Sequence, residues 1–134
     1  MFLTDDEIAT YEKEVLLKES KDILMEMSNL RKRDTGLDVN IWLDDEGCYR
    51  DVKHNVPRIK FQNNNSDRIS KSDLIPISIS DNPQILKRKV TLSIDSKQLN
   101  KIKEFIVNNK EALLRHWNGE ITFLEFGKIM SKVE

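Results

Sequence analysis

Between Leu37 and Gln62 the side chains change character at every second position, and this pattern constrains the fold more than any other feature of the 134-residue chain. Leu37, Val39, Ile41 and Leu43 fall on one side, with Asp38, Asn40, Trp42 and Asp44 between them. A period of two is that of a strand with one buried face. Asp44-Asp45-Glu46-Gly47 ends the run, because acidic residues and a glycine suit a turn. The alternation resumes at Val56, with Ile59 and Phe61 on one side and Arg58, Lys60 and Gln62 on the other. Pro57 has no amide hydrogen to give a ladder, so it belongs at the strand's start or on an edge. The two runs therefore make a ribbon with one apolar face and one mixed face that carries Trp42, Arg58 and Lys60. The mixed face reads in two ways: as solvated sheet with the indole packed under its neighbours, or as a binding surface for an anionic or planar partner.

Two further runs alternate in the same way. Ile75, Ile77 and Ile79 predict a third strand, which Pro76 marks as an edge, and Val90, Leu92 and Ile94 predict a fourth. Between them Asn63-Asn64-Asn65-Ser66 is a polar loop, and the stretch through Asp73 shows no period. Four strands with one apolar face need a cover, and the two ends of the chain supply amphipathic helices for it. Thr4 and Glu7 form a capping box that starts a helix expected to run without Gly or Pro to Leu30. Asp95 or Ser96 caps a second helix, whose stripe of Leu99, Ile102, Phe105 and Ile106 continues through Leu113, Leu114 and Trp117 despite Asn108-Asn109; Gly119 then stops it. Thr122 and Glu125 form another capping box, for a final helix carrying Phe123, Phe126, Ile129 and Met130. The fold class expected is α+β in a single domain: an acidic helix over 1–30, a mainly antiparallel sheet of about four strands within 37–94, and two helices over 95–134 packed on one sheet face.

Charge is divided unevenly along this plan. Residues 1–30 hold eight acids against three lysines, whereas residues 31–110 hold sixteen bases against eleven acids, although the whole chain carries a net charge of −1. On the first helix Glu12, Glu14, Glu19 and Asp22 make either a solvated face laced with four-residue pairs such as Glu14 with Lys18, or an anionic rod suited to a basic groove on a partner. In the middle of the chain Arg33, Lys87, Arg88 and Lys89 join Arg58 and Lys60 as candidate phosphate contacts, against which stands a sequence pI of about 6.2.

The string NIWLDDEG, followed by a Tyr, a His and RIKFQ, resembles a pattern of small proteins of unknown function in Bacteroidetes and their phages. More distantly, a strand pair followed by a helix ending in Leu113, Leu114 and Trp117 resembles a family of small bacterial proteins found near toxin–antitoxin-like genes. That second family carries a His-x-His pair in its second strand. This chain has Val56-Pro57-Arg58 there, with only His54 nearby, so a metal or catalytic role of the pair does not carry over. The resemblance implies a phage or mobile-element context and no particular activity.

Several classes of function lack their residues. The four glycines, Gly36, Gly47, Gly119 and Gly127, form no phosphate-cradling loop. Cys48 is the only cysteine, which excludes an internal disulfide and a thiolate zinc site and suits a reducing cytoplasm. Cys48 with His54 is the one nucleophile and base that could be drawn, and both sit in a polar turn region with no third group to orient them. Asp44, Asp45 and Glu46 are adjacent loop acids and read as a solvated turn. His116, beside Trp117, reads as a structural residue near a helix end. No signal peptide or membrane span is expected, nor any cofactor or metal. The reading is a non-catalytic interaction module whose partner is a bacterial protein or nucleoprotein effector, concretely an inhibitor of a bacterial defence system of anti-CRISPR type. The alternative is an RNA- or DNA-binding accessory or antitoxin-like protein.

Overall fold

Alternating apolar residues bury one sheet face only if other elements cover it, and in the computed structural model three C-terminal helices do so. The structure describes residues 3–11, 29–44, 56–66, 68 and 73–133. The sheet has four antiparallel strands in the order β1 (Asn29–Leu30), β2 (Ile41–Leu43), β3 (Arg58–Gln62) and β4 (Leu74–Ser78). Its register places Leu30, Ile41, Phe61 and Ile75 in one cross-strand row and Leu43, Ile59 and Ile77 in the next. Both rows enter the main core. There they meet Ile102, Phe105 and Ile106 of α3 (Ser96–Asn108), Leu113 of α4 (Lys110–Trp117) and Phe126 of α5 (Phe123–Ile129). Each such aliphatic or aromatic side chain taken fully from water contributes about 2 kcal/mol to the fold.

The capping boxes form as their residue types demand. Asp95 accepts from the amide of Gln98 at 2.8 Å while Gln98 Oε1 accepts from the amide of Asp95, and Thr122 and Glu125 make the same exchange at the start of α5. Thr4 and Glu7 cap α1, described over residues 5–11.

Three expectations are corrected. First, the helix expected through Leu30 does not reach it: its described part is residues 5–11, and the chain is strand at Asn29–Leu30, hydrogen-bonded to β2. The intervening 12–28, with Glu12, Glu14, Glu19 and Asp22, lie outside the described residues, as do 45–55 with Cys48 and His54. Second, the fourth strand is this β1, outside the expected 37–94 span, and Val90–Ile94 is irregular. The side chain of Asn63 satisfies that segment in place of a ladder, donating from Nδ2 to the Thr91 carbonyl at 2.9 Å and accepting at Oδ1 from the Ser93 amide at 2.8 Å. Third, the helix expected over 95–117 is two helices, so the cover has three. Asn109 divides them. Its Nδ2 donates to the carbonyls of Phe105 (2.9 Å) and Ser131 (3.0 Å), and its Oδ1 accepts from the Ser131 amide at 2.7 Å.

The chain end closes against the other side of the molecule. A short helix, α2 (Lys32–Thr35), ends at Gly36 with φ +79°, and the Val133 amide donates to the Thr35 carbonyl at 2.8 Å. Gly36 is obligatory there for two reasons: its backbone is left-handed, and a Cβ would collide with the Val133 carbonyl. Among the described residues no helix is long and apolar enough to cross a membrane.

Candidate functional site

The second face of the sheet carries the polar half of the alternation, and its register aligns Asn29, Trp42, Lys60 and Pro76 in a row. One step along, Asp44 follows β2 and stands across from Arg58 on β3, because Leu43 pairs with Ile59. The carboxylate oxygen Oδ2 of Asp44 lies 3.3 Å from Arg58 Nε and 3.4 Å from Lys60 Nζ. All three side chains are essentially inaccessible to solvent. Charges so placed need one another, since a buried cation without compensation costs several kcal/mol.

Aromatic residues enclose the group. The guanidinium carbon of Arg58 sits 5.0 Å from the ring centroid of Tyr11 on α1 and 5.0 Å from that of Trp117 at the end of α4. Its Nη1 donates to the Val56 carbonyl at 3.1 Å. Tyr11, Trp117 and Leu86 form a second, smaller buried cluster against which Leu3 and Val56 pack. Trp42 is wholly buried, and among the described residues its indole N–H meets no acceptor.

Trp42, Arg58 and Lys60 are thus together, as the alternation implied, but the face is covered and not solvated. Alternation along the strands gave no sign of this cover, which at Arg58 includes Tyr11 and Trp117, far apart in the chain. Of the other bases, Arg33, Arg88 and Lys89 are exposed and Lys87 is half-buried. They do not converge. Arg33 lies on α2 just after β1, at one edge of the sheet, whereas Lys87–Lys89 follow Ile85, which bridges to Ile77 on the outer side of β4. Four inter-strand spacings of about 4.8 Å separate those edges, on the order of 20 Å.

His116 is buried, with its ring edge-on to Phe123 and Phe126 at 6.3 Å, as a structural histidine would be. The described residues contain no cluster of His, Cys, Asp or Glu able to hold a metal ion. The large apolar side chains left exposed among them are Val107 on α3 and Leu124 and Ile129 on α5, with Leu124 at 77%. Leu124 borders a groove of about 330 Å³ between α5 and the β1 edge, lined also by Leu30, Phe123 and Met130, with Asp34 and Lys132 at its rim. No family model, curated protein or solved structure matches the chain.

Proposed function

We propose that the chain is a non-catalytic protein-interaction module. In its concrete form it is a phage or mobile-element inhibitor of a bacterial defence system, of anti-CRISPR type, that binds a nucleic-acid-handling effector in the cytoplasm. The observation that carries this reading is where the exposed side chains lie. Both tryptophans and the central cations are enclosed, Arg33 and the Lys87–Lys89 run sit at opposite sheet edges, and the strongly exposed apolar residues fall on helices, with two of them on α5. A nucleic-acid platform combines a contiguous basic track with exposed rings on which bases stack. Among the described residues no large aromatic ring is exposed and Arg33 lies apart from Lys87–Lys89, whereas exposed aliphatic side chains beside a groove suit a protein surface.

The phage context comes from the resemblance of NIWLDDEG and RIKFQ, and the acidic run of Glu12, Glu14, Glu19 and Asp22 suits an effector whose own surface is basic for nucleic acid. Capture of a protein effector that survives nuclease treatment tests the proposal. Charge reversal at those four acids, or Leu124→Glu with Ile129→Glu, is expected to abolish the capture. The competing reading, an RNA- or DNA-binding accessory using Arg33, Lys87, Arg88 and Lys89, requires affinity for nucleic acid alone that falls steeply with salt.

A further inference from the structure

We propose that the chain pairs with a second copy of itself along α5, with Leu124 of each copy seated in the groove beside Gly127 of the other. This goes beyond the effector reading and does not depend on it. Leu124 and Gly127 lie three residues apart, neighbours on one helix face, and both line the groove of about 330 Å³ between α5 and the β1 edge. Ile129 lines a different groove, on the α4 side with Asn108 and Ala112, so a second partner can still reach that side of α5.

Gly127 has no role that the single chain accounts for. It is exposed in the interior of α5, where glycine is a poorer choice than alanine because its backbone loses more freedom on folding. Unlike Gly36 and Gly119 it does not have a positive φ, and among the described residues nothing lies within 4 Å of where its Cβ would be. A side chain left out without need from within is explained by something that approaches closely from outside. The same face supplies a group of matching kind, since Leu124 stands 77% exposed beside the notch. A knob and a notch on one face make a self-complementary pair. A two-fold axis passing between them sets the two α5 helices antiparallel and forms both contacts at once.

The rim charges fit the same arrangement. Asp34 and Lys132 border the groove with opposite signs, so the two-fold can bring the acid of each copy to the base of the other, where rims of a single sign would repel. Leu30, Phe123 and Met130 provide the apolar lining that receives the leucine. The surface involved is small, so the pair is weak, with a dissociation constant on the order of 100 μM.

Sedimentation equilibrium of the purified full-length chain tests the pairing. The average mass is expected to rise from 15.7 kDa toward twice that value as concentration passes through the dissociation constant. Gly127→Ala separates pairing from folding. In dilute solution it should raise the melting temperature, because alanine favours the helix and its methyl group has room, yet it should weaken pairing roughly tenfold by filling the notch. Leu124→Ala should weaken pairing at least as much, and Lys132→Glu by a smaller factor that shrinks as salt rises. A mass of one chain at every concentration up to the millimolar range overturns the proposal. So does a dimer that Gly127→Ala and Leu124→Ala leave unchanged, which would place the contact elsewhere. A lower melting temperature for Gly127→Ala overturns it too, by giving the glycine a role within the chain. No effector enters the experiment, so its failure leaves the capture reading to its own test.

Discussion

Asp44 and Arg58 face one another across β2 and β3 with 3.3 Å between Oδ2 and Nε, and their side chains are 1% and 0% exposed. The same oxygen lies 3.4 Å from Lys60 Nζ, so one carboxylate serves two cations inside the protein. Removing it should be far more damaging than losing a surface pair. Asp44→Ala is expected to lower unfolding free energy by about 3 kcal/mol, read as a drop in the urea midpoint at constant slope. Replacing all three charges together (Asp44→Leu, Arg58→Met, Lys60→Met) should cost less than the sum of the three single losses, because the ion pairs within the cluster are then removed together. If Asp44→Ala costs less than about 1 kcal/mol, the carboxylate is not what holds the two cations in the interior.

Gly36 and Gly119 make a controlled pair. Both have positive φ, +79° and +76°, but a Cβ at Gly36 would strike the Val133 carbonyl whereas one at Gly119 meets nothing within 4 Å. Gly119→Ala should cost about 1 kcal/mol, the conformational penalty alone. Gly36→Ala should cost about 3 kcal/mol or more, because the C-terminal segment must also move. Equal melting temperatures for the two variants would contradict the packing of Val133 on α2.

Asn109 bonds to the end of α3 and to both backbone polar groups of Ser131. Asn109→Ala strands those groups where the side chain had satisfied them, at an expected loss of about 2 kcal/mol. The Ser131 amide should also lose its protection from exchange. Retained protection would show that another group holds the C-terminal segment.

The pH dependence at α5 has a definite sign. Hydrogen bonds from the Thr122 backbone and side chain hold the Glu125 carboxyl below its ordinary value of 4.5, with lesser help from Arg115 and Lys128. A carboxylate whose folded pKa is depressed adds stability that is complete above 4.5 and fades as pH falls through the lower folded value. Below that range the capping box of α5 should weaken, and Glu125→Gln should flatten this part of the stability profile. A profile identical to that of the parent protein would contradict it.

Much of this was legible in the residues themselves. Period-two alternation found β3, β4 and the end of the run that is β2, although Leu37–Asn40 before it is irregular, and it divided the strand faces correctly. Capping boxes marked the starts of α1, α3 and α5, because Thr or Asp three residues before Glu or Gln satisfies two end amides locally. The failures share a cause in tertiary contacts. Val90, Leu92 and Ile94 alternate like a strand, yet Asn63 takes the backbone groups of Thr91 and Ser93 between them. Asn29–Leu30 is too short to show a period, and becomes a strand only by lying beside Ile41 and Trp42. Trp42, Arg58 and Lys60 were found as a group, but all three are buried, with rings from Tyr11 and Trp117 on Arg58, and no local spacing records such a contact.

The most direct test of the account is capture by the tagged full-length chain from bacterial lysate, with and without nuclease, repeated with Leu124→Glu/Ile129→Glu. The account predicts a nucleic-acid-handling protein retained after nuclease and lost with the variant. Retention of nucleic acid alone, released as salt rises and indifferent to the variant, would contradict it.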